Sequence, residues 1–532
     1  MKWGIPVMSF NLVHEQWIPC LTRDNEYVEL SLLDVLTAPD QVREIVDSSP
    51  LVTIALHRLL LAILHRALVG PRDEDEWSRW WQQGCWPIDR VHDYLCRWQH
   101  RFDLFDHNRP FYQHPGVDRR YEAESARLAT EFASSFNAPL LFDHHDPDQV
   151  ALTPAQAARY LIAYQSFAPG GLLSGRTPAD RSSKAAPLCN VAVCLGKGES
   201  LARTLLLNLV PPAFRGSYEP PGVNCTDDQP AWERDTLPSD QPRWPCGYLD
   251  YLTWQARRVL LLPEVRGGTV VVPRSVIMRG ESFPEGFEQR QLETMVPFRR
   301  DPKRGWLPIG FQQDRALWRD SLALTQTVAH GEPDLQSPQL VRWWAHLFRN
   351  GLLPRAVVPL DVGGLVPDQA KPEFWRYERF PLPLQLLDDL EALEWLAQFL
   401  QLAEAAAHAL LRVLRGLALG FGVVNKQVTS FVSSLGAERA FWSALEPTFY
   451  PLFHRLAQPG ADCVALCAEW LKHVRLASWA AFRVAADALQ RAGRAEFELA
   501  TAETKLAAEL RKLTCGGGAI SDSHQQDEEV PV

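Results

Sequence analysis

The stretch Leu384–Leu419, LQLLDDLEALEWLAQFLQLAEAAAHALLRVLRGLAL, decides the reading of the C-terminal part of the chain. Leu, Ala and Glu dominate it, all strong helix formers, and its apolar residues recur at helical spacing. Glu438–Ala457, Asp462–Arg491 and Arg494–Leu513 repeat that character. Pro459-Gly460 breaks the second stretch from the third, and Asp462 is placed to cap the third. Four long amphipathic helices joined by short loops predict an antiparallel four-helix bundle over 384–514. Beyond it, 515–532 holds Gly516-Gly517-Gly518 and then Asp522, Asp527, Glu528 and Glu529, the composition of a disordered acidic tail.

Residues 1–380 have another character. Short apolar runs alternate with Pro, Gly and Asp, as in a large, irregular mixed α/β domain. Helices are predicted at Leu51–Leu68, Trp77–Gln82, Pro87–Asp103 and Pro154–Phe167. β-branched and apolar content predicts strands at Arg257–Leu262, Thr269–Val272 and Arg355–Val358. The fold class is therefore α+β, an N-terminal mixed domain followed by a C-terminal helical bundle.

Composition narrows the function. The chain has 532 residues, 46% hydrophobic and 22% charged, which excludes a disordered or fibrous protein. The most apolar early stretch, Leu51–Leu68, is broken by His57, Arg58, His65 and Arg66, so it reads as a buried helix and no membrane contact is expected. None of the ten cysteines forms a C-x-x-C pair, and scattered cysteines without a signal peptide read as reduced, in a cytoplasmic protein. Net charge of −10 argues against an all-over nucleic-acid coat, but the charge is segregated. Between Gly170 and Lys197, Arg176, Arg181, Lys184 and Lys197 face only Asp180.

Catalytic patterns are weak. Asp143-His144-His145-Asp146 has the residue types of a metallophosphoesterase site, yet such sites need further His/Asp clusters that the chain lacks. Gly196-Lys197-Gly198 lacks the first glycine and the following Ser/Thr of a phosphate loop and reads as a turn. The Trp77, Trp80, Trp81 stripe and the Cys463, Cys467 pair at helical spacing read as core. No cofactor is implied. What remains are loops suited to backbone approach or phosphate contact. These are Ala168-Pro169-Gly170-Gly171, the basic tip Phe298-Arg299-Arg300-Asp301-Pro302-Lys303-Arg304, and the hairpin-like Gly363–Lys371 with its exposed amide.

Together these stretches resemble the CasA family, large subunits of type I-E CRISPR surveillance complexes (Cascade). Phe10-Asn11-Leu12, Gln16-Trp17-Ile18-Pro19, Asp103-Leu104-Phe105, Pro110-Phe111, Leu141-Phe142-Asp143-His144, Arg203–Leu209 and Tyr251-Leu252-Thr253-Trp254-Gln255 carry the resemblance, with the loops above and the bundle. It implies a non-catalytic subunit that reads a short motif, the PAM, in double-stranded DNA from the minor groove. Such a subunit starts duplex opening for guide-RNA pairing and docks a helicase–nuclease. It also implies contacts with backbone and small subunits and with the guide RNA 5′ handle. The family's glycine loop falls on Ala168, Pro169, Gly170 and Gly171. Its lysine finger falls among Arg299, Arg300 and Lys303, and its glutamine wedge on Gln369 beside Asp368. The handle contact falls on Leu141, Phe142, Asp143 and His144, with Phe142 as anchor. A metal-dependent nuclease using His144, His145 and Asp146, and a pure scaffold, stand as the alternatives.

Overall fold

The computed structural model describes residues 8–129, 150–173, 182–222, 225, 227–312, 315–326, 334–368, 371–490 and 496–516. The chain divides into two compact units, Met1–Leu317 with Ala329–Leu382, and Trp318–Val328 with Pro383–Val532. The crossing of Trp318–Val328 into the second unit departs from a single cut near residue 380. Trp318 explains it, because its fully buried ring packs on Trp442, Phe449 and Trp470 of the helical unit.

The first unit is built on helix α1 (Pro50–Leu68), almost wholly buried. It is long and apolar enough to cross a membrane, but 89% of its apolar window lies inside the protein. Its charges are matched internally. Arg58 meets the buried Glu293 at 3.0 Å, and Arg66 forks onto Glu233 and Asp227. Helices α2 (Glu74–Gln83) and α3 (Pro154–Phe167) form where expected. Asp73 caps α2, and a reciprocal Thr153–Gln156 capping box with Pro154 in the first turn starts α3. The tryptophan stripe is core, since Trp77 is fully buried, stacks on Trp81 and donates to the Leu206 carbonyl. The helix predicted over 87–103 ends at Trp98 and passes into a 3₁₀ turn.

Small antiparallel sheets surround these helices. Strands β1 (Ile18–Thr22), β2 (Tyr27–Leu30) and β3 (Val42–Ile45) form one, and β4 (Glu122–Glu124) pairs with β9 (Thr269–Arg279), itself paired with β8 (Arg257–Arg266). The two-residue strands β5 (Gly171–Leu172) and β6 (Ser182–Ser183) pair with each other. Strand β10 (Phe298–Asp301) lies between β11 (Gly305–Pro308) and β12 (Leu335–Gln336). The last sheet has β13 (Val357–Asp368) between β14 (Lys371–Pro383) and β7 (Val193–Gly196). The strand expected at 355–358 is thus far longer. Gly363-Gly364, read as part of a hairpin tip, lies within β13.

The second unit contains four long helices, α4 (Leu390–Gly420), α6 (Ala437–Leu456), α7 (Cys463–Gln490) and α8 (Glu496–Lys512). A short helix α5 (Asn425–Ser434) joins the first two and is absent from the periodicity reading. Asp389 caps α4, which therefore begins at Leu390; the preceding Leu384–Asp388 is 3₁₀. Asp462 caps α7 by accepting from the Ala465 amide at 2.9 Å. Two expectations about cysteine fail. Cys225 is bonded to Cys246, and Cys467 in α7 to Cys515, pairs 21 and 48 residues apart that spacing could not reveal. Cys515, assigned above to the tail, is tied to the bundle, and Cys467 is not simply a core residue.

Candidate nucleic-acid interface

The glycine loop begins where α3 ends. Ala168, fully buried, closes the helix by donating its amide to the Tyr164 carbonyl at 3.0 Å. The chain then runs through Pro169 and Gly170, both half-buried, into β5. Glycine is required here twice over. A Cβ at Gly170 would lie 3.0 Å from the Ala185 amide nitrogen, and Gly171 has φ of 149°, a region other residues avoid. Beside it Leu172 is 80% exposed.

Beneath the loop sits Arg257, the first residue of β8 and 1% exposed. Its guanidinium donates to the carbonyls of Pro169 at 2.7 Å and Ala256 at 2.8 Å, with a longer contact to Ala168. Its backbone exchanges both hydrogen bonds with the Gln165 amide group. Among the described residues it meets no carboxylate, and burial lowers its pKa below the usual arginine value. A buried cation is tolerated here because carbonyl dipoles surround it. The consequence is directional. The only cis peptide among the described residues is Gly70-Pro71, so the Pro169–Gly170 peptide is trans. With the Pro169 carbonyl turned inward to Arg257, the Gly170 N–H points the opposite way, and it has no protein partner among the described residues.

One segment, 183–192, ties this loop to the other two candidate elements. Ala186 donates to the Ala168 carbonyl at 2.9 Å and Leu188 to the Ser166 carbonyl at 2.9 Å. Cys189 bridges Leu365 of β13, where the Asn190 amide reaches the Leu365 carbonyl at 3.0 Å. Ala192 then donates to the Ile309 carbonyl, one residue past β11, at 2.8 Å. Two glycines permit this stitching. Built Cβ atoms would lie 2.4 Å from the Asn190 carbonyl oxygen at Gly310 and 2.1 Å from the Val191 carbonyl oxygen at Gly364. Gly364 therefore serves packing within β13 rather than a tip.

The basic hairpin rests on its own ladder. Arg299 pairs with Leu307 and Arg300 with Trp306, while Phe298 is buried at the base. Arg299, Arg300 and Lys303 are exposed. Asp301 makes the turn by accepting from the amides of Lys303 at 2.9 Å and Arg304 at 2.8 Å, and these N–H groups hold its carboxyl below the usual aspartate range. Strands β13 and β14 confirm a hairpin whose outer end carries Asp368. Gln369 lies outside the described residues, as do Leu141, Phe142, Asp143, His144, His145 and Asp146. Among the described residues no group of three or more His, Cys, Asp or Glu is placed to hold a metal.

Sequence reasoning located the loops but missed Arg257 and segment 183–192. Neither carries a signal, since an arginine opening a strand is ordinary and the segment's role lies in backbone hydrogen bonds.

With this geometry in hand, comparison with known proteins is direct. Residues 11–481 match the family model of CRISPR-associated protein Cse1. The chain belongs to the CasA/Cse1 family. A CasA/Cse1 protein of Thermus thermophilus is 34% identical over 503 residues, 89% of this chain and 92% of that one. The crystal structure of Thermus thermophilus CasA superposes with a TM-score of 0.78 at 32% identity, covering 95% of this chain and 99% of that one. A chain of a CRISPR RNA-guided surveillance complex shares the fold, with a TM-score of 0.70 at 21% identity over 94% of this chain and 99% of that one.

Proposed function

We propose that this chain is the non-catalytic large subunit of a type I-E CRISPR RNA-guided surveillance complex, acting in the cytoplasm with backbone and small subunits and a guide RNA. It reads the PAM in double-stranded DNA, starts duplex opening and R-loop formation, and docks a helicase–nuclease. Family membership and the shared fold with a chain of such a complex support the assembly. The observation that carries the reading of DNA is the anchoring of three sequence-distant elements, the glycine loop, the basic hairpin and the β13–β14 hairpin, on the single segment 183–192.

The chemistry of each element suits a duplex. A-T pairs offer only acceptors in the minor groove, and the Gly170 N–H, without a protein partner among the described residues, is a donor on a residue with no side chain of its own. Arg299, Arg300 and Lys303 supply phosphate-neutralising charge. Gln369, beside Asp368, is the wedge that separates the first pair, a step costing about a few kcal/mol. Leu141, Phe142, Asp143 and His144 serve the guide-handle contact. The test is R-loop formation by the assembled complex. Gln369→Ala is expected to lose R-loops while assembly and binding of the guide persist; undiminished R-loop yield removes the wedge from the account.

A further inference from the structure

Two motifs that carry the family resemblance, Asp103-Leu104-Phe105 and Pro110-Phe111, have no part in the duplex contacts above. Pro110-Phe111 lines a small surface cleft, with the Asp103 carbonyl behind it accepting from the Phe111 amide, and the lining includes three arginines, Arg101, Arg109 and Arg234, and no acidic residue. Its aromatic floor is closed. Phe111 stacks on Phe102 and Tyr112, and Phe111, Tyr112 and Trp232 are all buried. Their ring faces are engaged with one another, so the cavity offers no platform for a base. Tyr112 holds a φ of 55°, a left-handed conformation that a bulky residue adopts only where its surroundings impose it.

The guanidiniums converge on one short stretch. Arg101 donates to the Asp235 carboxylate at 2.8 Å, and Arg109 donates to the Asp235 backbone carbonyl. Arg234 is the adjacent residue, and its Nε is buried without a partner. The other end of Arg234 shares Asp250 and Glu281 with Arg243, so those two carboxylates already have two cations. Arg101 is matched, among the described residues, by Asp235 alone, through a carboxylate whose side chain is 92% exposed. Among the described residues Arg109 has no carboxylate on its guanidinium; the nearby Asp106 instead accepts from the Arg109 backbone amide. One guanidinium in this cluster therefore has no carboxylate partner among the described residues, and the Asp235 carboxylate that meets the other is solvated and open to replacement by an incoming anion.

The geometry points to an anion site that takes a phosphate group, with Arg101 and Arg109 as its ligands and the Asp235 carboxylate holding its place when empty. Arginine forks match phosphate oxygens in pairs, and the closed aromatic floor selects the phosphate over the base it is attached to. Free phosphate and the phosphates of a nucleic-acid backbone share this chemistry. The site lies outside the elements assigned to motif reading and does not depend on that assignment.

The test titrates the full chain with inorganic phosphate against chloride at matched ionic strength, by calorimetry, and then with a short single-stranded RNA in competition. Saturable phosphate binding is expected, weakened about tenfold or more in Arg109→Ala, the loss of a charge-assisted contact. Asp235→Asn is expected to bind phosphate more tightly, because the competing carboxylate is gone. Displacement of phosphate by the RNA assigns the site to a nucleic-acid backbone, and phosphate binding without displacement assigns it to the free ion. No saturable binding of either probe, or unchanged binding in Arg109→Ala with an unchanged melting temperature, overturns the site. Weaker binding in Asp235→Asn overturns the role given to that carboxylate.

Discussion

The glycine loop and the basic hairpin are both short and both read from sequence as duplex contacts, yet they are held in opposite ways. The loop at 168–171 is shaped from outside itself, by a buried arginine 86 or more positions later in the chain and by segment 183–192. The hairpin at 298–308 has its base held by β12 and segment 183–192, but its turn is shaped from within, by its own ladder and by Asp301 bonding amides two and three residues on. A contact made of backbone must be positioned by the fold. A contact made of charged side chains needs only exposure and a stable turn. Substitutions distant in sequence should therefore damage the loop, while the charged tip of the hairpin should respond chiefly to local ones.

The largest effect is expected from Gly364→Ala. Its Cβ would meet a carbonyl oxygen of segment 183–192 and not the end of a flexible side chain. Denaturant unfolding should show a loss of about 3 kcal/mol, with motif discrimination lost in whatever folds. Arg257→Met should follow. It leaves the Pro169 and Ala256 carbonyls unbonded, a loss of about 2 kcal/mol once relief of the buried charge is counted. Arg257→Lys should recover part of both stability and discrimination. A Met variant that discriminates motif from non-motif duplex like the wild type would separate the loop from Arg257. Gly171→Ala, straining φ at 149°, should destabilise by about 1–2 kcal/mol.

The hairpin should respond differently. Lys303→Ala is expected to leave stability within about 0.5 kcal/mol. It should reduce the slope of log affinity against log salt by about one, uniformly across sequences. A sequence-dependent loss would mean that Lys303 reads bases. Smallest of all is the pH response of the turn. Asp301 has a depressed pKa in the folded chain, so its contribution is present above the unfolded aspartate value and lost as pH falls through the folded one. Protection factors of the Lys303 and Arg304 amides, taken against the intrinsic exchange rate at each pH, should fall on acidification, and Asp301→Asn should blunt the change.

How much was legible follows the same division. Periodicity and capping residues are local, so α3 and the Asp462 cap were read correctly from composition and spacing. Helix α5 was missed because its polar composition hides it, and β13 was cut short because Pro and Gly inside it imitate loop punctuation. The exposed cations of the hairpin were legible because a run of basic residues around a turn-forming Asp301 is a local signal. The environment of the glycine loop was not, because Arg257 acts through hydrogen bonds to carbonyls that every residue possesses. The disulfides share that blindness, since proximity across 21 and 48 residues leaves no trace in the order of residues.

The central claim is that this chain adds motif-specific DNA recognition to a surveillance complex. The direct measurement compares a guide-loaded core complex with and without the chain, binding a PAM-bearing and a PAM-mutated duplex at one fixed salt concentration. The account predicts that the chain raises affinity for the PAM-bearing duplex alone, and that Arg257→Met removes this gain while Lys303→Ala only lowers it. An equal gain on both duplexes would contradict it, leaving a general DNA clamp or a scaffold.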